Sequence, residues 1–226
     1  MSRRYRVRWA VTLLIVLLTF CGGLAYVQST TPAGPGADSK LNAMIITARQ
    51  QLDTLPVKGR APKTGYTRTQ FGDGWAKIGM CDAREIILAR DLTNTKLSTD
   101  CKVLSGVLND PYTGKIIHFQ RGPTSSQLVQ IDHVVALSNA WQTGAQNLLP
   151  LQRQALANDP LELLAVDGQA NQDKTDGDAA TWLPPNKPFR CQYIARQISI
   201  KAKYHLWVTP AEKDAMQQVL AGCAGR

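Results

Sequence analysis

The sequence lacks several patterns that would assign a function directly. It contains no Gly-x-Ser-x-Gly, no Cys-x-x-Cys and no internal repeat. The first absence argues against the nucleophile elbow of serine hydrolases, and the second removes the ligand spacing of common structural zinc sites. The third argues against solenoid architectures. No zinc-finger or helix-turn-helix pattern is present either, so a nucleic-acid-binding protein of this sequence would contact the backbone rather than read bases.

Histidine is also scarce. The chain has only three, at His118, His133 and His205. His118 lies in a predicted strand and His205 at the end of an amphipathic helix, so we interpret both as packed or surface residues. His133 differs because it directly follows the carboxylate of Asp132. The search for a histidine that accepts protons near neutral pH therefore narrows to His133.

The first 30 residues are typical of an export signal. Four arginines at positions 3, 4, 6 and 8 precede an uncharged apolar run at 9–27. This run fits either a signal peptide or an uncleaved signal anchor, because its length approaches the ~20 residues that span a bilayer. Residues 31–40 are rich in Ser, Thr, Pro and Gly and predict a flexible linker. We therefore expect a domain at 41–226 that is secreted or anchored at the outer face of the cytoplasmic membrane.

The chain is basic. It has 26 lysines and arginines against 17 acidic residues, a net charge of +9. Removing residues 1–30 takes away four arginines and no acidic residue, so 9 minus 4 leaves +5. A charge of this sign suits an anionic partner, although mild basicity also serves solubility alone. The length of 226 residues is enough for one domain with a sizeable core.

Helical and strand patterns both occur in the exported part, which predicts an α+β fold. Apolar spacing and capping signals predict a helix near 41–52, a helix that begins at Asp82-x-x-Glu85, a helix at 189–204 and a last helix with a capping box at Thr209. Two strands at 103–108 and 115–120 flank Asp-Pro-Tyr-Thr-Gly, which predicts a β-hairpin with Gly114 in its turn. Trp141, in a polar helical insert, is interpreted as a core residue.

The cysteines indicate disulfides. Beyond Cys21, the exported domain has an even number, Cys81, Cys101, Cys191 and Cys223. An even count in an exported domain predicts two bridges, for which three pairings are possible. We favour Cys81–Cys101 and Cys191–Cys223, because each closes a local loop between adjacent elements.

The stretch from Val129 to Lys174 carries the chemistry. It reads as an apolar strand that ends in Asp132-His133, a helical insert, a second short strand, a glycine turn and a polar helix that contains Asn171. Carboxylate and amide oxygens are hard ligands that suit Mg²⁺ or Mn²⁺. Because neighbouring strand residues point to opposite faces, we expect the strand to end or bulge after Ile131, so that Asp132 and His133 face one site.

These residues resemble the HNH, or ββα-metal, nuclease superfamily. The shared pattern is Asp-His, a variable gap, a middle residue at Glu162, and Asn-x-x-Lys beginning nine positions later at Asn171. The chain is most similar to secreted bacterial HNH endonucleases related to the C-terminal domain of GmrSD restriction enzymes. The segments that carry this likeness are Trp75…Cys-Asp-x-Arg84, Asp110-Pro-Tyr-Thr-Gly114, Ile131-Asp-His-Val-Val-Ala-Leu137 and Ala179-Ala-Thr-Trp-Leu-Pro-Pro185.

The resemblance implies a ββα-metal core with a β-hairpin, surrounding helices and disulfides. It also implies catalytic roles: His133 would activate water, Asp132 and Asn171 would hold one divalent cation, and Lys174 would contact phosphate or brace the site. The middle position of such sites is commonly Asn or His, which braces the loop carrying the histidine. Here it is Glu162, so either this carboxylate braces differently or Asn158 takes that role.

The resemblance further implies an exported metal-dependent endonuclease that hydrolyses DNA, with RNA as a second expected substrate and little sequence specificity. We expect a monomer with no small-molecule cofactor and with N-terminal membrane contact before or without cleavage of the signal. Arg121 and Arg153 are candidate phosphate contacts. A basic loop at 56–69 is interpreted as solvated, with phosphate contact as its alternative. A non-catalytic envelope binding module with a degenerate site is the alternative function, and a Ser or Cys hydrolase is weaker still.

Overall fold

The computed structural model describes residues 35–223, with side chains from residue 39 onward. The predicted signal segment at 1–30 lies outside the described residues. The chain divides into two compact units, 1–38 and 39–226. Within the described range, no helix combines the length and the apolar character needed to cross a bilayer.

The described chain contains seven α-helices, seven strands and four 3-10 helices. In chain order they are α1 (Pro35–Thr54), a 3-10 helix (Arg68–Phe71), β1 (Lys77–Ile78), β2 (Cys81–Asp82), α2 (Ala83–Asp91), β3 (Thr93–Leu97), β4 (Val103–Asn109), β5 (Ile116–Gln120), a 3-10 helix (Ser125–Leu128), β6 (Val129–His133), α3 (Leu137–Gln142), a 3-10 helix (Ala145–Asn147), α4 (Pro150–Ala157), β7 (Leu163–Asp167), α5 (Gly168–Lys174), a 3-10 helix (Lys187–Phe189), α6 (Arg190–Lys203) and α7 (Pro210–Ala221).

The strands form three small antiparallel sheets: β1–β2, β3-β4-β5 and β6–β7. Three apolar clusters surround them. Residues of β6 and β7 contribute to two of these clusters, Ile131 to the one with α2 and β4, and Leu164 to the one with α1, α6 and α7. The predicted α+β class is confirmed. Because β6 and β7 lie between two cores, their register is fixed by burial on both faces.

Local signals placed most elements correctly. The hairpin forms between β4 and β5, with Gly114 at φ 75°, a conformation that costs glycine little. The hydroxyl of Thr209 accepts from the amide of Glu212, as the capping box predicts. Ser138 lies inside α3, and its hydroxyl donates to the Asp176 carboxylate at 3.1 Å.

The N-terminal helix begins earlier than expected. We predicted a flexible linker at 31–40, but α1 starts at Pro35. Proline suits a first helical turn, because its missing N–H would have no partner inside the helix there. Ile45, Ala48 and Leu52 of this helix are buried against the core of α6 and α7.

Both favoured disulfides are present. Cys81 and Cys101 have Cα atoms 5.5 Å apart, and Cys191 and Cys223 have Cα atoms 5.8 Å apart. The first bridge links β2 to the loop between β3 and β4, and the second links the start of α6 to the residues after α7. Each cross-link therefore joins elements that are neighbours in space.

Candidate active site

Strands β6 and β7 and helix α5 form the frame of the site. The two strands pair without interruption from Val129 opposite Asp167 to His133 opposite Leu163. Helix α5 follows directly, with Asp167 as its cap, since the Asp167 carboxylate accepts from the amide of Ala170 at 2.8 Å. The turn into α5 needs glycine, because a Cβ at Gly168 would lie 2.1 Å from the carbonyl oxygen of Gln127, in the 3-10 helix that precedes β6.

The expected irregularity at the end of β6 is absent, and that prediction was wrong. Because β6 stays regular through His133, Asp132 and His133 project from opposite faces of the strand. Asp132 lies on the side of α5, and His133 lies on the side of Trp75. The two side chains still reach one cavity, as described below, so a bulge is unnecessary.

Asp132 is buried, and each of its two carboxylate oxygens accepts a hydrogen bond. Its Oδ1 accepts from the Lys174 ammonium at 2.9 Å, and its Oδ2 accepts from the hydroxyl of Tyr112. Burial raises the pKa of Tyr112 well above its usual value, with the Asp132 charge as the second cause, so this hydroxyl stays a donor. Lys174 also donates to the carbonyl oxygen of His133 at 2.7 Å. The carboxylate and the end of β6 are thus held by the same ammonium group.

His133 is held in a defined tautomer. Its Nε2 lies 3.0 Å from the carbonyl oxygen of Ala157, which can only accept, so Nε2 carries the proton. Its Nδ1 is then the acceptor and makes no hydrogen bond with any described residue. The indole of Trp75 stacks on the imidazole with ring centroids 5.7 Å apart and planes within 4°. Burial lowers the pKa of His133 to about 3, and the nearby charge of Arg68 contributes, so the ring is neutral at physiological pH.

Glu162 contacts the segment that follows His133. Its Oε2 accepts from the amide of Val135 at 3.1 Å, and its backbone carbonyl accepts from Val134 at 2.9 Å. Burial raises the pKa of Glu162 well above its usual value. Asn158 lies elsewhere, where its Oδ1 accepts from the amide of Ala76 at 2.8 Å. Glu162 thus holds the chain after His133, whereas Asn158 holds the chain after Trp75.

Asn171 places an amide on the same side as Asp132. Its Nδ2 donates to Oε1 of Gln130 at 2.9 Å, which leaves its Oδ1 without a hydrogen bond to any described residue. Residues 39–223 contain no cluster of three or more His, Cys, Asp and Glu that could hold a metal. Mg²⁺, however, commonly takes one or two protein ligands and completes its shell with water and phosphate. Asp132 and Asn171 carry oxygen atoms of the type that such a site uses, and both Asp132 oxygens already accept hydrogen bonds, from Lys174 and Tyr112.

A cavity of about 750 Å³ brings these groups together. All five residues of β6 line it, and because β6 pairs only with β7 within the described part of the chain, the cavity lies along the other edge of the strand. Its remaining walls include Asn171, Asp176 and three cationic side chains, Lys63, Arg68 and Arg84. A second cavity of about 380 Å³ lies beside it and shares His133, Trp75 and Arg68. His133 therefore stands between two cavities.

Comparison with known proteins places this geometry in a family. Residues 82–219, which contain the whole β6–β7–α5 frame, match the family model of GmrSD restriction endonucleases, C-terminal domain. The chain belongs to this family.

A protein from Arthroderma benhamiae is similar to this chain over most of its length. It is described as an uncharacterized secreted protein and is 38% identical over 179 residues, which are 78% of this chain and 85% of the relative. No solved structure matches the chain. The description of this relative names no enzymatic activity. The family description indicates a nuclease-related role and names neither a substrate nor a catalytic residue.

Two arginines predicted to contact phosphate lie elsewhere in this GmrSD C-terminal domain. Arg121 donates to both carboxylate oxygens of Glu85, at 2.6 and 2.5 Å. Arg153 is buried, and its guanidinium donates to the carbonyl oxygens of Gln70 and Leu148. Neither side chain lines the cavity beside His133. Their phosphate role stays a prediction that their contacts do not favour.

Two residues around the site, Tyr112 and Trp75, were given no role of their own by the sequence, because they appear there only within a hairpin turn and within segments that resemble a family. Arg68 belongs to the basic loop at 56–69, which was interpreted as solvated with phosphate contact as the alternative. The tyrosine inside the turn Asp-Pro-Tyr-Thr-Gly was the one available signal of a buried contact, because an aromatic ring buries a large area and a buried tyrosine hydroxyl usually finds a hydrogen-bond partner. His118 and His205 are exposed, as expected of surface residues.

Proposed function

We propose that this protein is an exported, divalent-cation-dependent endonuclease that hydrolyses phosphodiester bonds of DNA with little sequence preference. The observation that carries the proposal is His133, a neutral histidine with Nε2 bonded to Ala157 and Nδ1 without a partner, beside the oxygen donors of Asp132 and Asn171. This combination supplies a proton acceptor and a cation site in one cationic cavity.

His133 acts as the general base in this proposal. A base must be unprotonated to take a proton from water, and the lowered pKa of His133 keeps the ring neutral across the physiological range. The Ala157 carbonyl fixes the tautomer, so Nδ1 takes the proton from the attacking water. Trp75 holds the ring plane by stacking on it. The products are a 5′-phosphate and a 3′-hydroxyl, as the family resemblance implies.

Asp132 and Asn171 would hold Mg²⁺ or Mn²⁺. The bound cation would polarise a phosphoryl oxygen and stabilise the leaving oxygen. Lys174 and Tyr112 would orient the carboxylate of Asp132, because each donates to one of its oxygens. Glu162 would keep the chain after His133 in place through the amide of Val135. These three residues position the site rather than contact the substrate.

The substrate follows from the charge and shape of the cavity. Its walls carry three cationic side chains against the two carboxylates of Asp132 and Asp176, and without the four arginines of residues 1–30 the net charge of +9 becomes +5. Contacts to phosphates give affinity without sequence information, which accounts for the low specificity proposed here. Export is supported by the basic and apolar N-terminal segment, the two disulfides and a relative described as secreted.

A metal panel tests the proposal. The purified protein would be incubated with plasmid DNA, single-stranded DNA and RNA in the presence of EDTA, Mg²⁺, Mn²⁺ or Ca²⁺. We expect no cleavage in EDTA, cleavage in Mg²⁺ or Mn²⁺, and weaker cleavage as salt is added. His133→Ala should lose roughly 10²–10⁴-fold in rate, the usual contribution of a general base. Full activity in chelator, or in the His133→Ala protein, would contradict the mechanism.

Metal affinity separates the two kinds of site residue. Asp132→Ala and Asn171→Ala should weaken Mn²⁺ binding and activity together, whereas His133→Ala should keep Mn²⁺ affinity. His118→Ala is the matched control, because His118 is exposed and does not line the cavity. If His133→Ala lost metal but regained full rate at high Mn²⁺, His133 would be a ligand and not the base.

A further inference from the structure

Three cationic side chains line the larger cavity, and two of them already have carboxylate partners. The Lys63 ammonium lies 3.2 Å from Oδ2 of Asp176, and Nη1 of Arg84 lies 3.3 Å from Oε1 of Glu85. Arg68 is exposed and makes no hydrogen bond or ion pair with any residue between 39 and 223. Its five N–H donors are therefore available to a ligand.

Arg68 stands beside the predicted base. It lines both the 750 Å³ cavity and the 380 Å³ cavity, and His133 is one of the few residues that line both with it. Both side chains therefore lie where the two cavities adjoin.

The 3-10 helix that carries Arg68 is fixed by buried contacts, although the Arg68 side chain has no hydrogen-bond partner among the described residues. The 3-10 helix Arg68–Phe71 is anchored by Phe71, which is buried and lies edge-on to Trp141 at 6.4 Å. Arg153 donates from Nε to the carbonyl oxygen of Gln70 at 2.8 Å and from Nη2 to Oε1 of Gln70 at 3.0 Å. A free guanidinium on a fixed turn can bind an anion with little further ordering of the chain.

The family match does not include this turn. The matching segment begins at residue 82, so Arg68 and Trp75 both precede it. These two residues cover the His133 end of the cavity from outside the β6–β7–α5 frame. The segment before residue 82 therefore completes a wall of the site that the matched segment leaves open.

We propose that Arg68 binds the non-bridging oxygens of the phosphate next to His133 and is a substrate-binding residue of the site. This inference rests on the proposed function, because it assumes a nucleic-acid substrate in the larger cavity. The guanidinium matches phosphate geometry because its planar fork gives two parallel hydrogen bonds. In that position Arg68 fixes the phosphate relative to the base and offsets part of its negative charge.

The test compares Arg68→Ala, Arg68→Lys and Lys96→Ala in the full chain. Lys96 is an exposed cation on β3 that does not line the cavity, so its variant removes the same charge elsewhere. Binding to a short DNA duplex would be measured by fluorescence anisotropy in EDTA over a range of salt, so that turnover does not interfere. Turnover would be measured separately in Mn²⁺.

We expect Arg68→Ala to weaken duplex binding by roughly tenfold or more and to reduce the slope of log affinity against log salt by about one. Arg68→Lys should keep the slope and recover affinity only in part, because an ammonium lacks the fork. Lys96→Ala should match the parent protein in both quantities, and all three variants should keep the parent melting temperature.

The outcomes separate the two proposals. If the parent cleaves DNA but Arg68→Ala binds and cleaves equally well, or loses no more than Lys96→Ala, the role of Arg68 is overturned and the nuclease proposal stands. If the parent shows Arg68-dependent binding but no cleavage with any metal, the nuclease proposal fails and the phosphate contact stands. A parent protein that neither binds the duplex nor cleaves DNA with any metal overturns both.

Discussion

The ammonium nitrogen of Lys174 lies 2.9 Å from Oδ1 of Asp132, and both side chains are buried. The same nitrogen lies 2.7 Å from the carbonyl oxygen of His133. Buried charges are costly unless they are paired and hydrogen-bonded. This pair therefore ties α5 to the end of β6.

Removing one partner of this pair should destabilise the domain. Lys174→Met leaves the Asp132 carboxylate without its cation, so we expect a loss of about 3–5 kcal/mol in the free energy of unfolding of the metal-free protein. The double variant Asp132→Asn with Lys174→Met should lose less than the sum of the single variants, since no uncompensated charge remains. Urea unfolding of the four proteins gives the coupling directly. Additive losses would mean that the pair does not act as a unit.

Trp75 should control the protonation of His133. Trp75→Ala opens the stacked face of the imidazole to water, so the pKa of His133 should rise from about 3 towards its usual value of 6.5. Trp75→Phe is the control, because it keeps an aromatic ring on that face. The imidazole resonances of the metal-free protein, followed by NMR during a pH titration, report the pKa. An unchanged low pKa in Trp75→Ala would show that other contacts bury the ring.

Acid should destabilise the protein through His133. The folded pKa of about 3 lies below the unfolded value of 6.5, so the unfolded state binds the extra proton between these values. The contribution of His133 is therefore present above pH 6.5 and is lost as the pH falls towards 3, with a slope of up to about 1.4 kcal/mol per pH unit.

The difference in unfolding free energy between the parent and His133→Gln should consequently shrink as the pH is lowered through this window. Glu162 acts in the opposite sense, because its raised pKa gives a contribution that is lost as the pH rises. That contribution is common to both proteins and cancels in the comparison. A difference that stays constant with pH would place the titrating proton on another group.

Both disulfides should be formed in the native protein. Mass spectrometry after alkylation without reduction should show no free thiol among Cys81, Cys101, Cys191 and Cys223. Loss of either bridge, for example in Cys191→Ser with Cys223→Ser, should cost on the order of 2–5 kcal/mol. The matched pair Cys81→Ser with Cys101→Ser tests whether the two bridges contribute equally. Four alkylated thiols in the native protein would remove the structural role of these residues.

Features that depend on neighbours in sequence could be predicted from the sequence. The capping box at Thr209, the hairpin around Gly114 and both disulfides join residues whose local pattern is informative. The spacing of Asp-His and Asn-x-x-Lys within one stretch, Val129 to Lys174, predicted that the two motifs share a site. The structure brings Asp132 and Lys174 into contact.

Contacts between distant segments could not be predicted in this way. Tyr112 reaches Asp132 and Trp75 reaches His133 only because the chain folds back onto β6. A guanidinium gives no sequence signal of its partner, which is why Arg121 and Arg153 were named singly, whereas Arg68 was covered only by the alternative reading of the loop at 56–69. The predicted bulge failed for a related reason: a cavity along a strand edge receives side chains from both faces, a possibility that residue alternation alone does not suggest.

The bridge between Cys191 and Cys223 has a consequence for the cell that makes the protein. It fastens helix α6, which supports the site because Gln197 donates to the carbonyl of Val134 and Tyr193 packs on Tyr112. In a reducing cytosol this disulfide does not form. The resulting loss of ~2–5 kcal/mol is a large part of the ~5–15 kcal/mol that typically stabilises a folded domain. The proposed nuclease would therefore reach its full stability only after export, and the chromosome of the producing cell would be protected during synthesis.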